Sequence, residues 1–333
     1  MRILVTGGAG FLGARLAREI LQRGQLCGQT VKELVIADLF PAPADLQADP
    51  RVKSHAGPML EQGELLASGF DGVFHLASAV SGECELDFDL GMRSNLDSTR
   101  LLLDSIRRSG KVSRFVFASS VAVFGPYADQ PMPALVTDTT LPSPQTSYGT
   151  QKLMLEYLVA DQTRKGFIDG RSARLMTVTV RPGKPNGAAS SFFSGIIREP
   201  LAGVESICPV DASVSHPVSS PGTTIRSLIA VFEASQATLG NRLALNLPGL
   251  TVTVQQMLDA LQNVAGKSVR ERVRFERDER IAGIVANWAR GATSERANTL
   301  GLQADASFEA IIEQYIEDCR TQSAYPAGAL QGL

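Results

Sequence analysis

A tyrosine and a lysine four residues apart, in the run Tyr148-Gly149-Thr150-Gln151-Lys152, are the residues of this chain best suited to move a proton. On a helix that spacing puts both side chains on one face, a single turn apart. An ammonium beside a phenol favours the phenolate, so the pair could take a proton near neutral pH although a free tyrosine titrates near about 10. The same pattern also arises as an idle polar pair on an exposed helix face. What argues for chemistry is its position downstream of a phosphate-type turn and a strand ending in Ser119-Ser120.

That turn is Gly7-Gly8-Ala9-Gly10-Phe11-Leu12-Gly13, between the apolar run Arg2 to Thr6 and an amphipathic stretch to about Arg23: strand, tight turn, helix. Glycines at Gly7, Gly10 and Gly13 let the backbone approach a pyrophosphate seated on the free N–H groups of Gly10, Phe11, Leu12 and Gly13 at the helix start. The next strand, Glu33 to Ala37, ends in Asp38, which can accept hydrogen bonds from an adenosine ribose and would repel a 2′-phosphate. Leu39-Phe40-Pro41 follows with no arginine, so the expected cofactor is NAD rather than NADP.

Further strands are expected near Arg51 to Ala56, over Gly72 to Ala77, Arg114 to Ala118 and Met176 to Val180, with helices over Asp87 to Ser109 and from Ser147. Leu76, Ala77 and Ser78, at the end of the fourth strand, lie where ligands bind in open parallel sheets. After Pro182 the chain breaks into short Ser/Gly/Pro-punctuated pieces, then a strand near 243–247 and helices over Val254 to Val264 and Phe308 to Cys319. The alternation implies an α/β fold: a doubly wound parallel sheet over 1–181, rejoined by the strand near 243–247, and a smaller, mainly substrate-binding region over 182–333.

At 333 residues and a net charge of −2, the chain has the length and hydrophobic content for a sizeable core and no charge bias toward nucleic acid or an anionic membrane. No apolar run is long enough to span a bilayer, and no secretory leader is read at the start. The four scattered cysteines suggest reduced thiols in the cytoplasm, and three histidines make a histidine metal site unexpected, so no metal is assigned.

Taken in order, T-G-G-A-G-F-L-G, Asp38, His75-Leu76-Ala77-Ser78, Asn95, Phe117-Ala118-Ser119-Ser120, Tyr148 to Lys152 and Arg181-Pro182 resemble the extended short-chain dehydrogenase/reductases over nearly the whole chain. The resemblance implies a Rossmann fold, NAD in the first domain, a catalytic Ser120, Tyr148 and Lys152, Asn95 among the residues holding the cofactor, and a homodimer through the helices bearing Asn95 and Tyr148. Leu101, Leu102, Leu103, Leu155 and Leu158 could supply the dimer seam, or equally pack on their own sheet. Where the dehydratases of that family carry an acidic pair, this chain has Val121-Ala122, so water elimination is not expected. Ala56-Gly57-Pro58 stands where many members carry an adenine-reading Asp.

Ser81-Gly82-Glu83, the run Asp87 to Gly91, and Arg181 to Asn186 with Ala188 to Phe193 resemble a branch that oxidises a four-carbon sugar acid at C2 with NAD. The expected partner is therefore a small sugar acid. Lys184 is the candidate for its carboxylate, with Ser78, Ser81, Asn186 and Ser190 as hydroxyl partners. Lys184 reads equally well as a solvated loop lysine, and Arg226 is the competing acid binder. The alternative activity is a nucleotide-sugar 4-epimerase with tightly held NAD, whose diphosphate Arg198, Arg226 and Arg242 could clamp.

Overall fold

Short strands, five of them within the first 120 residues, pair edge to edge into a seven-stranded sheet. The computed structural model describes residues 1–127, 129–183, 189–322 and 325–333. The strands are β1 (Arg2–Thr6), β2 (Glu33–Asp38), β3 (Val52–Ala56), β4 (Gly72–His75), β5 (Ser113–Ser120), β6 (Ile168–Leu175) and β7 (Leu245–Asn246), ordered β7-β6-β5-β4-β1-β2-β3 across the sheet. The registers from β3 through β2, β1 and β4 to β5 are all parallel. Central β1 is apolar without alternation because it is covered on both faces: Ile3, Leu4 and Val5 are all fully buried. The strand order reverses between β1 and β4, which makes their C-terminal ends the expected ligand crevice.

Helix α1 (Phe11–Arg23) follows the glycine turn and stops at Gly24, whose left-handed backbone closes it. Beyond β4 come α2 (Ser81–Leu86), a short helical turn Phe88–Gly91, a π-helical segment Met92–Asp97 and α3 (Ser98–Ser109). The single helix expected over Asp87 to Ser109 thus contains a wide turn, and Asn95 sits in it. Helix α4 (Ser147–Arg164) starts where expected, with the Thr146 side chain accepting from Gly149 N at 3.0 Å and Glu85 of α2 accepting from Ser147 N at 2.6 Å. Among the described residues no helix is long and apolar enough to cross a membrane.

The strand expected over Met176 to Val180 is corrected. The sheet strand is Ile168–Leu175, whereas Thr177–Val178 belongs to a separate three-stranded sheet with Ser215–Ser219 and Leu250–Thr253. Charge hid β6: Arg171 and Arg174 lie buried in it, and Asp169 pairs with Arg171 while Glu156 of α4 pairs with Arg174 at 2.7 Å. Paired in this way, charged side chains can occupy a strand that hydropathy alone rejects.

The chain divides into two compact units that interleave in sequence, in place of one cut after 181. The first is Met1–Val123, Thr146–Arg174 and Ile225–Leu245; the second is Phe124–Gln145, Leu175–Thr224 and Asn246–Leu333. The second has its own core around Phe193, Ile196, Leu258 and Ile312, built from α5 (Ser191–Leu201) and helices Val254–Ala265 and Phe308–Thr321. In the first, Leu102, Leu103 and Leu155 are buried in the core, with Leu101 and Leu158 packed against it, so these leucines cover their own sheet rather than forming a free seam.

Candidate active site

The glycine turn is built to let something lie against it. Gly7 has φ +69°, and a Cβ there would come within 2.7 Å of Ala77 N, where the end of β4 passes; at Gly13 a Cβ would overlap the Gly7 carbonyl oxygen. Both positions therefore need glycine, the first for its left-handed backbone and the second for close approach. Gly10 caps α1 with no side-chain hydrogen bond, so the N–H groups of Phe11 and Leu12 open the helix without a side-chain acceptor. Asp38, at the end of β2, accepts from Ala9 N at 3.0 Å and from Phe40 N at 3.3 Å, which ties the acidic residue to the glycine turn itself. This cradle, with an acid at one end and bare helix N–H groups at the other, fits the pyrophosphate and ribose of a dinucleotide.

Next to it, the end of β4 is fixed by a buried chain of hydrogen bonds. Ala77 N donates to Thr6 Oγ1 (3.3 Å), and Thr6 Oγ1 lies 2.6 Å from His75 Nδ1. On the other side of the ring, His75 Nε2 lies 2.7 Å from Thr99 Oγ1, which donates to Asn95 O at 2.6 Å. The Thr99 proton is committed to that carbonyl, so Nε2–H must donate to Thr99 and Nδ1 must accept from Thr6. His75 is thus a neutral strut. Burial, helped by the Lys152 ammonium, lowers its pKa to about 3.

Tyr148 and Lys152 stand on α4, and Ser120 closes β5. Lys152 is 2 % exposed; its Nζ donates to Ala118 O at 2.8 Å and lies 5.4 Å from the centre of the Tyr148 ring. Burial lowers its pKa to about 8, although the charge of Glu156 acts to raise it. Tyr148 as a whole is half-buried, but burial around its hydroxyl pushes the phenol up to about 12, against the lowering effect of a hydrogen bond from Ser120. The sequence-based expectation that the lysine brings the phenol down is corrected here: in the protein alone desolvation wins, and the resting tyrosine is protonated. Ser120 Oγ accepts from Ala122 N at 3.1 Å, which leaves its own proton for the Tyr148 oxygen. Ser119 points elsewhere, donating to Glu156 at 2.5 Å. That separates the two serines as expected.

Asn95 is buried, not on a solvent-facing helix surface, and binds Ser78 and Ala79 of the loop after β4 rather than facing an open crevice. Cys84, also buried, lies beside it, with Asn95 Nδ2 at 3.3 Å from Sγ. Burial pushes this thiol up, so it stays protonated. Leu76 N donates to Thr6 O at 3.1 Å, and Ser81 is the first residue of α2. Glu83 turns its carboxylate to Val80 N at 2.9 Å and so contacts the protein. Ser190 precedes α5 as its N-cap residue, and Arg226 is an exposed residue of the helix Pro221–Glu233. Lys184 and Asn186 lie outside the described residues. Sequence reasoning did not assign Thr6, His75, Thr99, Cys84 or Gln151 to the site, since their partners are distant in the chain and only folding brings them together.

A glycine cradle, an acid closing the second strand and a Ser-Tyr-Lys group at the crevice define a class, and the chain belongs to the NAD-dependent epimerase/dehydratase family, whose model matches residues 3–239. It is an NAD-dependent oxidoreductase. Within that class it is 48% identical to D-erythronate dehydrogenase of Cupriavidus necator, over 96% of this chain and 98% of that one. It is 40% identical to D-erythronate dehydrogenase of Haemophilus influenzae, over 95% and 99%. Among solved structures, the nucleoside-diphosphate-sugar epimerase from Agrobacterium tumefaciens superposes with a TM-score of 0.90 at 42% identity, covering 96% of this chain and 94% of that one.

The neutral histidines give the fold a pH dependence of definite sign. His75 and His216 have pKa values lowered by burial to about 3 and about 4. Below the unfolded value of about 6.5 the unfolded chain binds protons that the folded chain refuses, so stability is lost as pH falls from about 6.5 toward these values. Denaturant unfolding from pH 7 to pH 4 should show a decline of up to about 1.4 kcal/mol per pH unit for each histidine.

Proposed function

We propose that this enzyme oxidises the C2 hydroxyl of a small sugar acid with NAD, converting D-erythronate to 2-dehydro-D-erythronate. The observation that carries the reading is the 48% identity with the Cupriavidus necator D-erythronate dehydrogenase across almost the full length of both chains. Gly7, Gly10, Phe11, Leu12, Gly13, Asp38, Leu76, Ala77 and Ser78 hold the cofactor, with Asn95 acting through the loop it binds. When bound, NAD supplies the hydride acceptor.

Tyr148 takes the proton of the C2 hydroxyl in the oxidative direction and returns one in the reverse. Its phenol rests near 12, so the oxidative direction needs help in forming the phenolate. The Ser120 O–H donates to the same oxygen, and the Lys152 ammonium lies on the ring side. Both interactions strengthen as negative charge develops there, which is where stabilisation accelerates a reaction. Lys152 gives one N–H to Ala118 O and keeps two for ribose hydroxyls. Lys184 holds the substrate carboxylate, with Ser81, Asn186 and Ser190 as hydroxyl partners and Arg226 as the competing acid binder.

The same reading sets the enzyme in sugar-acid catabolism in the cytoplasm, consistent with four free cysteines. It also makes the enzyme a homodimer. Leu86, Phe88, Met154 and Tyr157, all at least 48% exposed around α2 and α4, are apolar surface that a second copy would cover. A second reading, a nucleotide-sugar 4-epimerase that keeps its NAD, draws on the name of the Agrobacterium tumefaciens structure. Both readings use the same proton machinery and differ in whether NADH leaves.

Tyr148→Phe should lower D-erythronate oxidation at least about 100-fold while NAD binding stays measurable. Wild-type kcat/KM should rise with pH above neutrality, because the base must lose its proton first. Turnover retained by the variant removes Tyr148 from the role. For the acid, Lys184→Ala and Arg226→Ala compared on D-erythronate separate the two candidates: the residue that binds the carboxylate shows the larger loss of kcat/KM, expected at Lys184.

A further inference from the structure

Gln151, one residue before the site lysine, is 2 % exposed and carries an amide nitrogen with no hydrogen-bond partner. An aliphatic side chain of similar volume would fill that space without burying an orphan donor, so packing alone does not account for a glutamine. What the glutamine does supply is an acceptor: its Oε1 takes a hydrogen bond from Asn95 Nδ2 at 2.7 Å. The orientation of both amides follows from the backbone. Ala79 N can only donate, and it lies 2.7 Å from Asn95 Oδ1, so Nδ2 of Asn95 must face α4 and Oε1 of Gln151 must face Asn95. Ser78 Oγ donates to the same Oδ1 at 3.0 Å.

We infer that Gln151 is a positioning residue for the cofactor site: through Asn95 it holds Ser78 and Ala79, the loop that continues β4 from the point where Ala77 abuts the Gly7 turn. Asn95 stands in the π-helical segment, where the backbone ladder is loosened, so its side chain owes its place to the partners at its two ends. The connection runs from the helix of Tyr148 and Lys152, through one amide, to the loop beside the glycine turn. Loss of Oε1 leaves Asn95 Nδ2 with two longer contacts, Ala79 O and Cys84 Sγ, each at 3.3 Å, and releases the loop from α4.

The inference rests on the NAD site proposed above and is tested without any sugar acid. Calorimetric titration of NAD into wild type, Gln151→Met and Gln151→Glu, with melting temperatures measured alongside, separates a positioning role from a structural one. Gln151→Met keeps the volume and loses the acceptor; it should bind NAD about tenfold more weakly. Gln151→Glu keeps an acceptor and should stay within about twofold of wild type, whatever either change does to the melting temperature. NAD binding unchanged in Gln151→Met, or equally weakened in both variants, overturns the proposal. Should Gln151→Met fail to fold, Gln151→Asn, whose shorter side chain withdraws the acceptor, carries the same two readings. Wild type that does not bind NAD overturns the cofactor site itself, a failure visible before any variant is compared.

Discussion

A lysine ammonium with almost no access to water is the constraint around which the first unit is arranged. Lys152 has one carbonyl, Ala118 O, as a hydrogen-bond acceptor, and two aromatic faces, Phe117 and Tyr148, within 5.4 Å. An isolated buried cation is costly, and the lowered pKa of Lys152 expresses that cost. Glu156, one turn further along α4, lends negative charge but is itself held by Arg174 and Ser119. The same α4 residue therefore tempers the lysine and latches the helix to the strand end that carries Ser120.

Neutrality of the surrounding groups follows from the same burial. His75, buried and close enough to feel the ammonium, is kept uncharged, so it serves as a hydrogen-bond strut between β1 and α3. Cys84 remains a thiol. With these groups silent, the titrations that matter near the site reduce to Tyr148 and Lys152, a phenol pushed up and an ammonium pushed down by one cause, burial. The lysine's shift moves its pKa toward neutrality, whereas the phenol's moves away from it, opposed by the hydrogen bond from Ser120.

Features encoded locally were legible in the sequence. The glycine turn, Asp38 at its strand end and the start of α4 at Ser147 are each set by a few neighbouring residues, and the structure has them there. Features encoded by distant pairing were not. Strand β6 reads as too polar until Asp169 and Glu156 are seen to neutralise its arginines. The wide turn at Asn95 leaves no mark on the hydrophobic period, and Gln151 looks like any exposed helix polar residue. The leucines of α3 and α4 could not be divided between core and interface because a helix shows its apolar stripe without showing what covers it.

On the reading proposed above, Tyr148, backed by the buried Lys152, would accept a proton beside a site where bound NAD would supply the hydride acceptor, and NADH would be released. The most direct test is absorbance at the NADH band after mixing the protein and NAD with D-erythronate, and in parallel with UDP-glucose. NADH accumulating in step with substrate consumed in the first mixture, and none in the second, is the predicted result. Conversion of the nucleotide sugar to its 4-epimer with no NADH in either mixture would contradict it.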